Sequence, residues 1–323
     1  QFLFFFFTLV IIGFSSAPLA AQTDDNANDS DPYGFTLFND VPVTPVKDQH
    51  RSGTCWAFAA TSFAEAEILR ETNQEYDLSE MFFVRHAYQA KALNYVRRHG
   101  KSNFSPGGQA HDVFNVIRDF GMVNEKDYPG LTRGEQKHNH SELDAVLSAF
   151  VDAVVKNRGR RLSDVWFEAY NSVLDVYFGA MDELKPEKLV AKTDFNAADY
   201  IELTSYSCYP WYEAVNLQIP DNWSYDTYIN IPLDDLMAII DNAFENGYSV
   251  CWDGDVSSRG FSHSSGVAIV PEENVDNLEG TELSRWMEVP ENEREDKLYA
   301  FNGPVPEKKI SDQERLDVFA DYT

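Results

Sequence analysis

Apolar residues recur three and four positions apart through the first half of the chain, which is the spacing of an amphipathic helix. This pattern predicts a helix over residues 55–71, a second over 79–98, and a third that begins after Pro106. Gly121 supplies the stop of the third helix, because glycine adopts left-handed backbone angles without a steric penalty. The first half of the chain is therefore predicted to be helical.

The second half changes from helical periods to short strand-like runs. Two more helices are predicted within residues 131–193, a segment rich in large aromatic side chains, and one over residues 232–246. A helical half followed by a mixed, strand-rich half is an α+β order. The inward face of the 232–246 helix is predicted to consist of Leu236, Ile239, Ile240, Ala243 and Phe244. Strands are predicted at residues 200–204 and 228–231, and buried strands at 248–252 and 267–270.

The N-terminal residues predict a targeting segment. Residues 1–21 form an apolar run followed by small residues, too short to span a bilayer, and Ala20-Ala21-Gln22 is a plausible signal-peptidase site. The basic start is missing and the chain opens with Gln1, so we expect a signal peptide clipped at its N-terminus. Residues 22–34 are predicted to be an acidic linker, and residues 35–323 a domain exported to the periplasm or the extracellular space.

The charge excludes several classes of partner. The chain has 53 Asp and Glu against 26 Lys and Arg, a formal net charge of −27. Such a surface repels phosphate backbones and anionic lipids, so we expect no nucleic acid partner and, after signal cleavage, no membrane partner. A well-solvated surface explains the charge, and no substrate preference follows from it.

The chain has three cysteines, Cys55, Cys208 and Cys251. In an exported protein an odd number indicates one reactive thiol together with either a disulfide or two buried free thiols. Buried free cysteines are common, so two free thiols are favoured over a Cys208–Cys251 disulfide, and both alternatives stay open.

Cys55 lies where the first helix is predicted to begin. A helix N-terminus favours the thiolate, the reactive form of cysteine, through unpaired N–H groups and the helix dipole. Attack on a carbonyl also needs donors aimed at the oxyanion, which the Cys55 backbone N–H and the side chain of Gln49 would supply. Gly53 would let the backbone approach a substrate closely. We therefore predict a nucleophile, Cys55, with Gln49 in its oxyanion hole; an ordinary buried cysteine is the alternative.

The run Gln-His-Arg-Ser-Gly-Thr-Cys-Trp-Ala-Phe at residues 49–58 resembles the nucleophile segment of papain-like cysteine peptidases. Three further matches follow in family order, namely Leu-Ser-Glu at 78–80, Gly-Gly at 107–108 and Asp-Tyr-Pro at 127–129. The resemblance implies a two-lobed papain-like fold, a helical lobe followed by a strand-rich lobe, and a peptide substrate. In that family the glycine pair lines the cleft and binds the substrate as an added strand, a role that the resemblance gives to Gly107 and Gly108.

The chain also departs from papain itself. Residues 131–193 form a helical insertion relative to papain, and Ser52 stands where papain relatives often have a disulfide cysteine. These departures make the chain similar to the bleomycin hydrolase and aminopeptidase C subfamily. That resemblance implies an aminopeptidase, no cofactor or metal, and a homo-oligomer, which in the subfamily is a hexamer. We expect the insertion to pack away from the cleft and to serve subunit contacts.

The general base is not found in the expected place. A cysteine peptidase needs a histidine to move the proton and a third group to orient it, and the family supplies a His and then an Asn before Ser-Trp-Gly. His263 is disfavoured because three residues separate it from the next apolar run, and Asn222 lies upstream of it. We expect a sequence truncated at both ends, with the catalytic His and Asn beyond Thr323, and a strand-rich lobe incomplete at the C-terminus. The other histidines, His50, His86, His99, His111, His138 and His140, are interpreted as solvated or turn residues.

Three functions remain open at this point. The favoured one is an exported thiol peptidase that trims residues from peptide N-termini, with Cys55 as nucleophile and endopeptidase action left open. The second is a papain-fold peptide-binding or scaffold protein that has lost catalysis. The third is another cysteine-based acyl-transfer enzyme, such as an amidase, on the same fold. As written, the 323-residue chain is predicted to be catalytically inert, with no histidine nitrogen within reach of the Cys55 sulfur.

Overall fold

The computed structural model describes residues 35–157, 161–254, 261–262, 267–268, 311 and 313. The predicted signal peptide, the acidic linker and His263 lie outside these residues. In the described part of the chain, no helix is both long enough and apolar enough to cross a bilayer.

Three helices form the first lobe, and all three predictions are confirmed. They are α1 (Cys55–Thr72), α2 (Glu80–Arg97) and α3 (Ala110–Phe120). Ser79 caps α2 by accepting a hydrogen bond from the Phe82 backbone N–H at 3.1 Å. The Ser79 hydroxyl also donates to the Tyr128 carbonyl, so two of the motifs found in the sequence meet in one contact.

Residues 131–193 contribute three helices, α4 (Ser141–Val155), α5 (Val165–Phe178) and α6 (Pro186–Thr193), the last of which the sequence pattern did not indicate. They do not form a separate unit, because their apolar side chains join the core of the first lobe. Arg85 of α2 also forms an ion pair with Asp175 of α5 at 2.5 Å. The buried side chains that α4 and α5 add to this core are Leu143, Leu147, Val151, Tyr170, Leu174 and Phe178.

The second lobe is a small sheet with a core of its own. Its strands are β1 (Leu203–Thr204), β2 (Glu213–Val215) and β3 (Tyr228–Asn230), in the order β1-β3-β2. β3 pairs in parallel with β1 and antiparallel with β2. A hairpin of β4 (Phe261–Ser262) and β5 (Val267–Ala268) follows along the chain. The core of the three-stranded sheet is formed by Val215, Leu217 and Tyr228.

Two predictions for the second lobe are wrong. The helix α7 (Leu233–Glu245) exists as predicted but has no buried residue, and Ile239 of its predicted inward face is 46% exposed. Residues 248–252 form no strand, and Trp252 is 68% exposed. The apolar pattern identified side chains suited to burial, but burial also requires a packing partner, and the described residues do not provide one for these faces.

Candidate active site

Cys55 is the first residue of α1, as predicted. The chain enters the helix through Gly53, whose φ of 67° lies in the left-handed region. A side chain at this position would be strained and would meet Pro106, since an added Cβ would lie 2.9 Å from the Pro106 Cβ. Gly53 therefore allows the loop before Cys55 to lie directly against the segment that contains the glycine pair.

Gln49 is anchored in the same loop by its carbonyl oxygen. Its Oε1 accepts a hydrogen bond from the Thr54 backbone N–H at 2.9 Å and a longer one from the Ser52 hydroxyl at 3.4 Å. The amide Nε2 at the other end of the group has no protein acceptor among the described residues. The Nε2 group therefore keeps its N–H donors free of protein partners in the described chain, while the catalytic role of Gln49 stays a prediction.

Cys55 is an exposed residue, and its thiol lies in a mixed electrostatic environment. Desolvation of the sulfur raises its pKa above the ordinary value, and the carboxylates of Asp253 and Asp221 raise it further. The backbone N–H groups of Trp56 and of Cys55 itself lower the pKa, as expected at a helix N-terminus. The net effect is a raised pKa, so the thiol form is favoured in this structure.

The segment of the glycine pair, residues 105–108, lies against the nucleophile loop and is called the wall below. Trp56, next to Cys55, donates its indole N–H to the Pro106 carbonyl at 2.9 Å. Gly107 is half-buried, and a Cβ added to it would lie 2.5 Å from Asp221 Oδ1. Gly108 is buried, and a Cβ there would lie 2.9 Å from the Trp56 ring. The Trp56 ring therefore leaves room only for glycine at position 108, whereas the Asp221 side chain could move away from a residue at position 107. The role of both glycines in binding a substrate stays a prediction.

Several polar residues that support this wall were not identified from the sequence. Asp112, in the first turn of α3, accepts hydrogen bonds from the Gln109 backbone N–H at 3.0 Å and from the Trp223 indole at 2.8 Å. Lys91 of α2 donates to the Ser105 carbonyl at 2.8 Å and to the Gly107 carbonyl. The one sign of this support in the sequence was a lysine, Lys91, among the apolar residues of α2. Helical periodicity does not indicate what such a lysine binds.

Asn222 was set aside as a catalytic residue because of its position in the sequence, and its contacts are those of a turn. It is buried, and its Nδ2 donates to the Leu217 and Asp226 carbonyls at 3.0 Å each. Its Oδ1 accepts from the Asp226 backbone N–H at 3.1 Å. These bonds use both ends of the amide, so Asn222 stabilises the loop that carries Trp223.

The interpretation of the early histidines as solvated or turn residues is only partly correct. His50 and His99 have left-handed backbone angles, typical of turns. His140 is buried instead, and desolvation lowers its pKa to about 4. His111 is also buried, with its ring nitrogens 2.6 Å from Glu202 Oε2 and 2.9 Å from Ser224 Oγ.

Histidines of the described chain do not supply a base for Cys55. The hydrogen bonds and ion pairs of these histidines go to other residues, and no histidine is among the main causes of the shift in the pKa of the Cys55 thiol. This agrees with the sequence-based expectation for the histidines that the structure describes. His263 lies outside the described residues.

The remaining cysteines are free thiols, so the Cys208–Cys251 disulfide is not formed. Cys208 is exposed, which differs from the expected pair of buried thiols, while Cys251 is half-buried. Desolvation, followed by the charge of Asp253, raises the pKa of Cys251 to about 12. Cys251 is therefore a poor nucleophile at neutral pH.

The segment 131–193 touches the nucleophile loop at its beginning. The Arg51 backbone N–H donates to the His138 carbonyl at 3.1 Å, and the His140 N–H donates to the Arg51 carbonyl at 3.0 Å. Phe58 of α1 also lies edge-on to the His138 ring, with 6.4 Å between centroids. Its first residues thus contribute to holding the loop before Cys55, whereas a role in subunit contacts stays a prediction.

Comparison with known proteins shows which families and structures this chain resembles. The family model described as papain family cysteine protease matches residues 36–170. Cathepsin L-like peptidase of Aedes aegypti is 38% identical over 114 residues, 34% of this chain and 30% of that protein. Procathepsin L of Felis catus is 34% identical over 94 residues, 29% of this chain and 25% of that protein. The chain thus matches about a third or less of the length of these relatives.

A solved structure matches a larger share of the chain. The crystal structure of PepW from Lactobacillus rhamnosis HN001 matches with a TM-score of 0.54 at 18% identity, covering 66% of this chain and 59% of that chain. At this identity the likeness concerns the fold alone. The fold is α+β and papain-like. Cys55 and the glycine pair both lie within the residues 36–170 that match this family model.

Proposed function

We propose that this protein is a cysteine-type peptidase that cleaves peptide bonds through an acyl-enzyme on Cys55. The observation that carries the proposal is that the loop and helix start around Cys55 pack against the segment of the glycine pair, through Gly53 on Pro106 and Trp56 on the Pro106 carbonyl. Gln49 is held in that loop by its Oε1, and its Nε2 has no acceptor within the described chain. The similarity of residues 36–170 to papain-family proteases supports the same chemistry.

The proposed reaction has two steps. The Cys55 thiolate attacks the scissile carbonyl carbon, and the oxyanion is stabilised by the Cys55 N–H and by Gln49 Nε2. Collapse breaks the C–N bond, and the leaving amine takes a proton from the general acid. Water then attacks the thioester, releasing the carboxylic acid and restoring the thiol. The proposal assigns the acid–base role to a histidine outside the described residues.

The finer proposal is an aminopeptidase of the bleomycin hydrolase type. It rests on the resemblance of the sequence to that subfamily, including the helices of residues 131–193. Cleavage of peptides with a free amino terminus, and not of the same peptides after acetylation, would support it. Cleavage of both would indicate endopeptidase action. Export and homo-oligomeric assembly are parts of the same proposal, to be tested by fractionation of the source cells and by sedimentation.

The second candidate is a peptide-binding protein on the papain fold. Two observations favour it: the pKa of the Cys55 thiol is raised, and no described histidine contacts its sulfur. Such a protein would bind peptides in the cleft and release them unchanged. The third hypothesis, an amidase, differs only in its substrate and is separated by a panel of peptide and non-peptide amides.

The test uses the full-length protein with a panel of fluorogenic peptides. Cys55→Ala should abolish turnover, while Cys208→Ala, which removes an exposed thiol elsewhere, should leave it unchanged. Gln49→Ala should lower turnover by roughly 10²–10³ if Gln49 is an oxyanion donor. Turnover that survives Cys55→Ala would refute the proposed mechanism. Peptide binding without turnover would support the second candidate.

A further inference from the structure

Lys91 is a fully buried cation beside the candidate cleft. Lys91 lies among the buried residues of α2 and is only 1% exposed. Within the described chain, no carboxylate is within ion-pair distance of its ammonium group. Burying an unpaired ammonium group is costly, so such a residue is retained only where hydrogen bonds compensate the lost hydration. The hydrogen-bond partners of Lys91 therefore indicate which part of the structure its ammonium group stabilises.

Two of those partners are backbone carbonyls of the wall. Lys91 Nζ donates to the Ser105 carbonyl at 2.8 Å and to the carbonyl of Gly107. One ammonium group thus holds both ends of the turn around Pro106, whose own carbonyl is bound by the Trp56 indole. Three consecutive carbonyls of this segment are fixed by side chains of α1 and α2.

Three aromatic rings lie around the ammonium group. Its Nζ lies 5.9 Å from the centroids of Trp56 and Tyr88 and 5.6 Å from that of Trp223. Ring faces at this distance attract a cation, which partly replaces its hydration. Trp56 follows Cys55, and Trp223 is bonded to Asp112, so the cage connects the nucleophile helix, α2 and the loop of the second lobe.

The electrostatic surroundings agree with this geometry. Desolvation lowers the pKa of Lys91 to about 8, and the carboxylates of Asp112, Asp221 and Asp144 oppose that shift from α3, the second lobe and α4. Tyr88 faces the group from α2 itself. An apolar residue in place of Lys91 would fill the volume but leave the two carbonyls unpaired in a buried setting.

We propose that Lys91 is a positioning residue that sets the conformation of residues 105–108, so that Gly107 and Gly108 can bind the backbone of a peptide substrate. This proposal rests on the proposed function, because it assumes that the glycine pair binds peptide. It assigns no chemical step to Lys91. Its consequence is specific: losing Lys91 should impair reactions that use the peptide-binding wall and spare those that use only the thiol.

The experiment compares two alkylating reagents on Cys55. A dipeptidyl chloromethyl ketone must lie along the wall, whereas iodoacetamide needs only the thiolate. Rates of Cys55 modification are measured by mass spectrometry in the full-length protein, and their ratio cancels any change in thiol ionisation, since both reagents use the same thiolate. Lys91→Met matches the length of the side chain without its donors, and Lys101→Met, at an exposed position, is the control.

We expect Lys91→Met to lower the ratio of peptidyl to iodoacetamide rates about tenfold or more, as losing hydrogen bonds to buried carbonyls implies. Lys101→Met should leave the ratio within about twofold of the unsubstituted protein, below the effect of one neutral hydrogen bond. Lys91→Gln, which keeps two neutral donors on a shorter side chain, should fall between the two. It also provides the measurement if Lys91→Met does not fold, which circular dichroism would show.

Two results overturn the inference, and they are distinguishable. An unchanged ratio in a folded Lys91 variant, where the unsubstituted protein prefers the peptidyl reagent, refutes the positioning role alone. If the unsubstituted protein shows no preference for the peptidyl reagent, the glycine pair does not bind peptide. In that case the proposed function of the cleft is wrong, and the role of Lys91 falls with it. With substrates that are turned over, a positioning role should also raise KM more than it lowers kcat.

Discussion

Replacing Glu65 by Ala should destabilise the first lobe strongly, because this buried carboxylate of α1 is the acceptor for three donors. Its Oε1 accepts from the Leu78 backbone N–H at 2.7 Å and from Lys47 Nζ at 3.1 Å. Its Oε2 accepts from the Thr44 hydroxyl at 2.5 Å. Lys47 and Thr44 precede Gln49, and Leu78 precedes the cap of α2. One side chain thus connects the loop before the nucleophile to two helices.

The magnitude follows from what the three donors lose. The Leu78 N–H would be left buried and unpaired, which costs about 1–3 kcal/mol, and the Thr44 hydroxyl about 1 kcal/mol. Lys47 would lose one charged partner but keep Glu80 at 2.9 Å and Asp77 at 2.7 Å, which limits its loss. We therefore expect a decrease in the free energy of unfolding of about 3–5 kcal/mol, the range for breaking a buried ion pair.

The assay is equilibrium urea unfolding followed by fluorescence, with Glu71→Ala as the matched control. Glu71 lies on the same helix and pairs with Arg70 at the surface, at 3.1 Å. Its removal should change the free energy of unfolding by less than about 1 kcal/mol. A loss below about 1 kcal/mol for Glu65→Ala, with an unchanged urea dependence, would show that this network does not hold the loop.

Three further predictions concern charge, pH and packing. Asp253→Asn should lower the pKa of the Cys55 thiol, since that carboxylate raises it, and so accelerate alkylation of Cys55 by iodoacetamide below the thiol pKa. The free energy of unfolding should fall as the pH drops from about 6.5 to about 4. Desolvation lowers the pKa of His86 in the folded protein to about 4, so in this range the unfolded chain binds more protons than the folded one. This histidine contributes at most about 3 kcal/mol. Leu174→Ala should cost about 2–5 kcal/mol in urea unfolding, because this side chain of α5 is fully buried in the core of the first lobe.

Each of these predictions has a control. Asp235→Asn, on the surface of α7, should not change the alkylation rate of Cys55; an equal effect would indicate a change in net charge rather than a local contact. His99→Asn keeps the left-handed backbone angle and should preserve the acid destabilisation, whereas His86→Leu should reduce it. Val176→Ala, on the exposed side of α5, should cost far less than Leu174→Ala. Equal losses would mean that α5 does not pack as described.

The helices of the first lobe were predictable because their signals are local. The apolar stripe, the cap at Ser79 and the stop at Gly121 lie within a few residues of the boundaries that they determine. The chain before Cys55 was predictable for the same reason, since a helix start and a nearby glutamine can be recognised without knowing the rest of the fold. In these cases the residue and its structural cause are neighbours in the sequence.

The support of the glycine pair could not be predicted, because its partners come from distant parts of the chain. Lys91 of α2 binds the carbonyls of Ser105 and Gly107, which are 14 and 16 residues away, and lies near Trp223 of the second lobe. The buried state of His111 likewise depends on Glu202, which is 91 positions further along. Periodicity also gives α7 an apolar face without stating what covers it. These features depend on tertiary contacts, and no local pattern encodes them.

The electrostatics of the cleft connect these observations to the choice between the two leading functions. A thiol whose pKa is raised by desolvation, and further by Asp253 and Asp221, needs a positive partner before it can attack at neutral pH. Lys91, a buried cation beside the wall, is bonded to the carbonyls of that segment, so it is not available to the sulfur. The carboxylates destabilise the thiolate when it is alone. If a catalytic imidazolium lay between them and the sulfur, the same negative charges would stabilise that cation, and the cation would stabilise the thiolate. In its absence the cleft would favour binding over cleavage. The pKa of the Cys55 thiol in the full-length protein therefore separates a peptidase, in which it is lowered, from a peptide-binding protein, in which it stays raised.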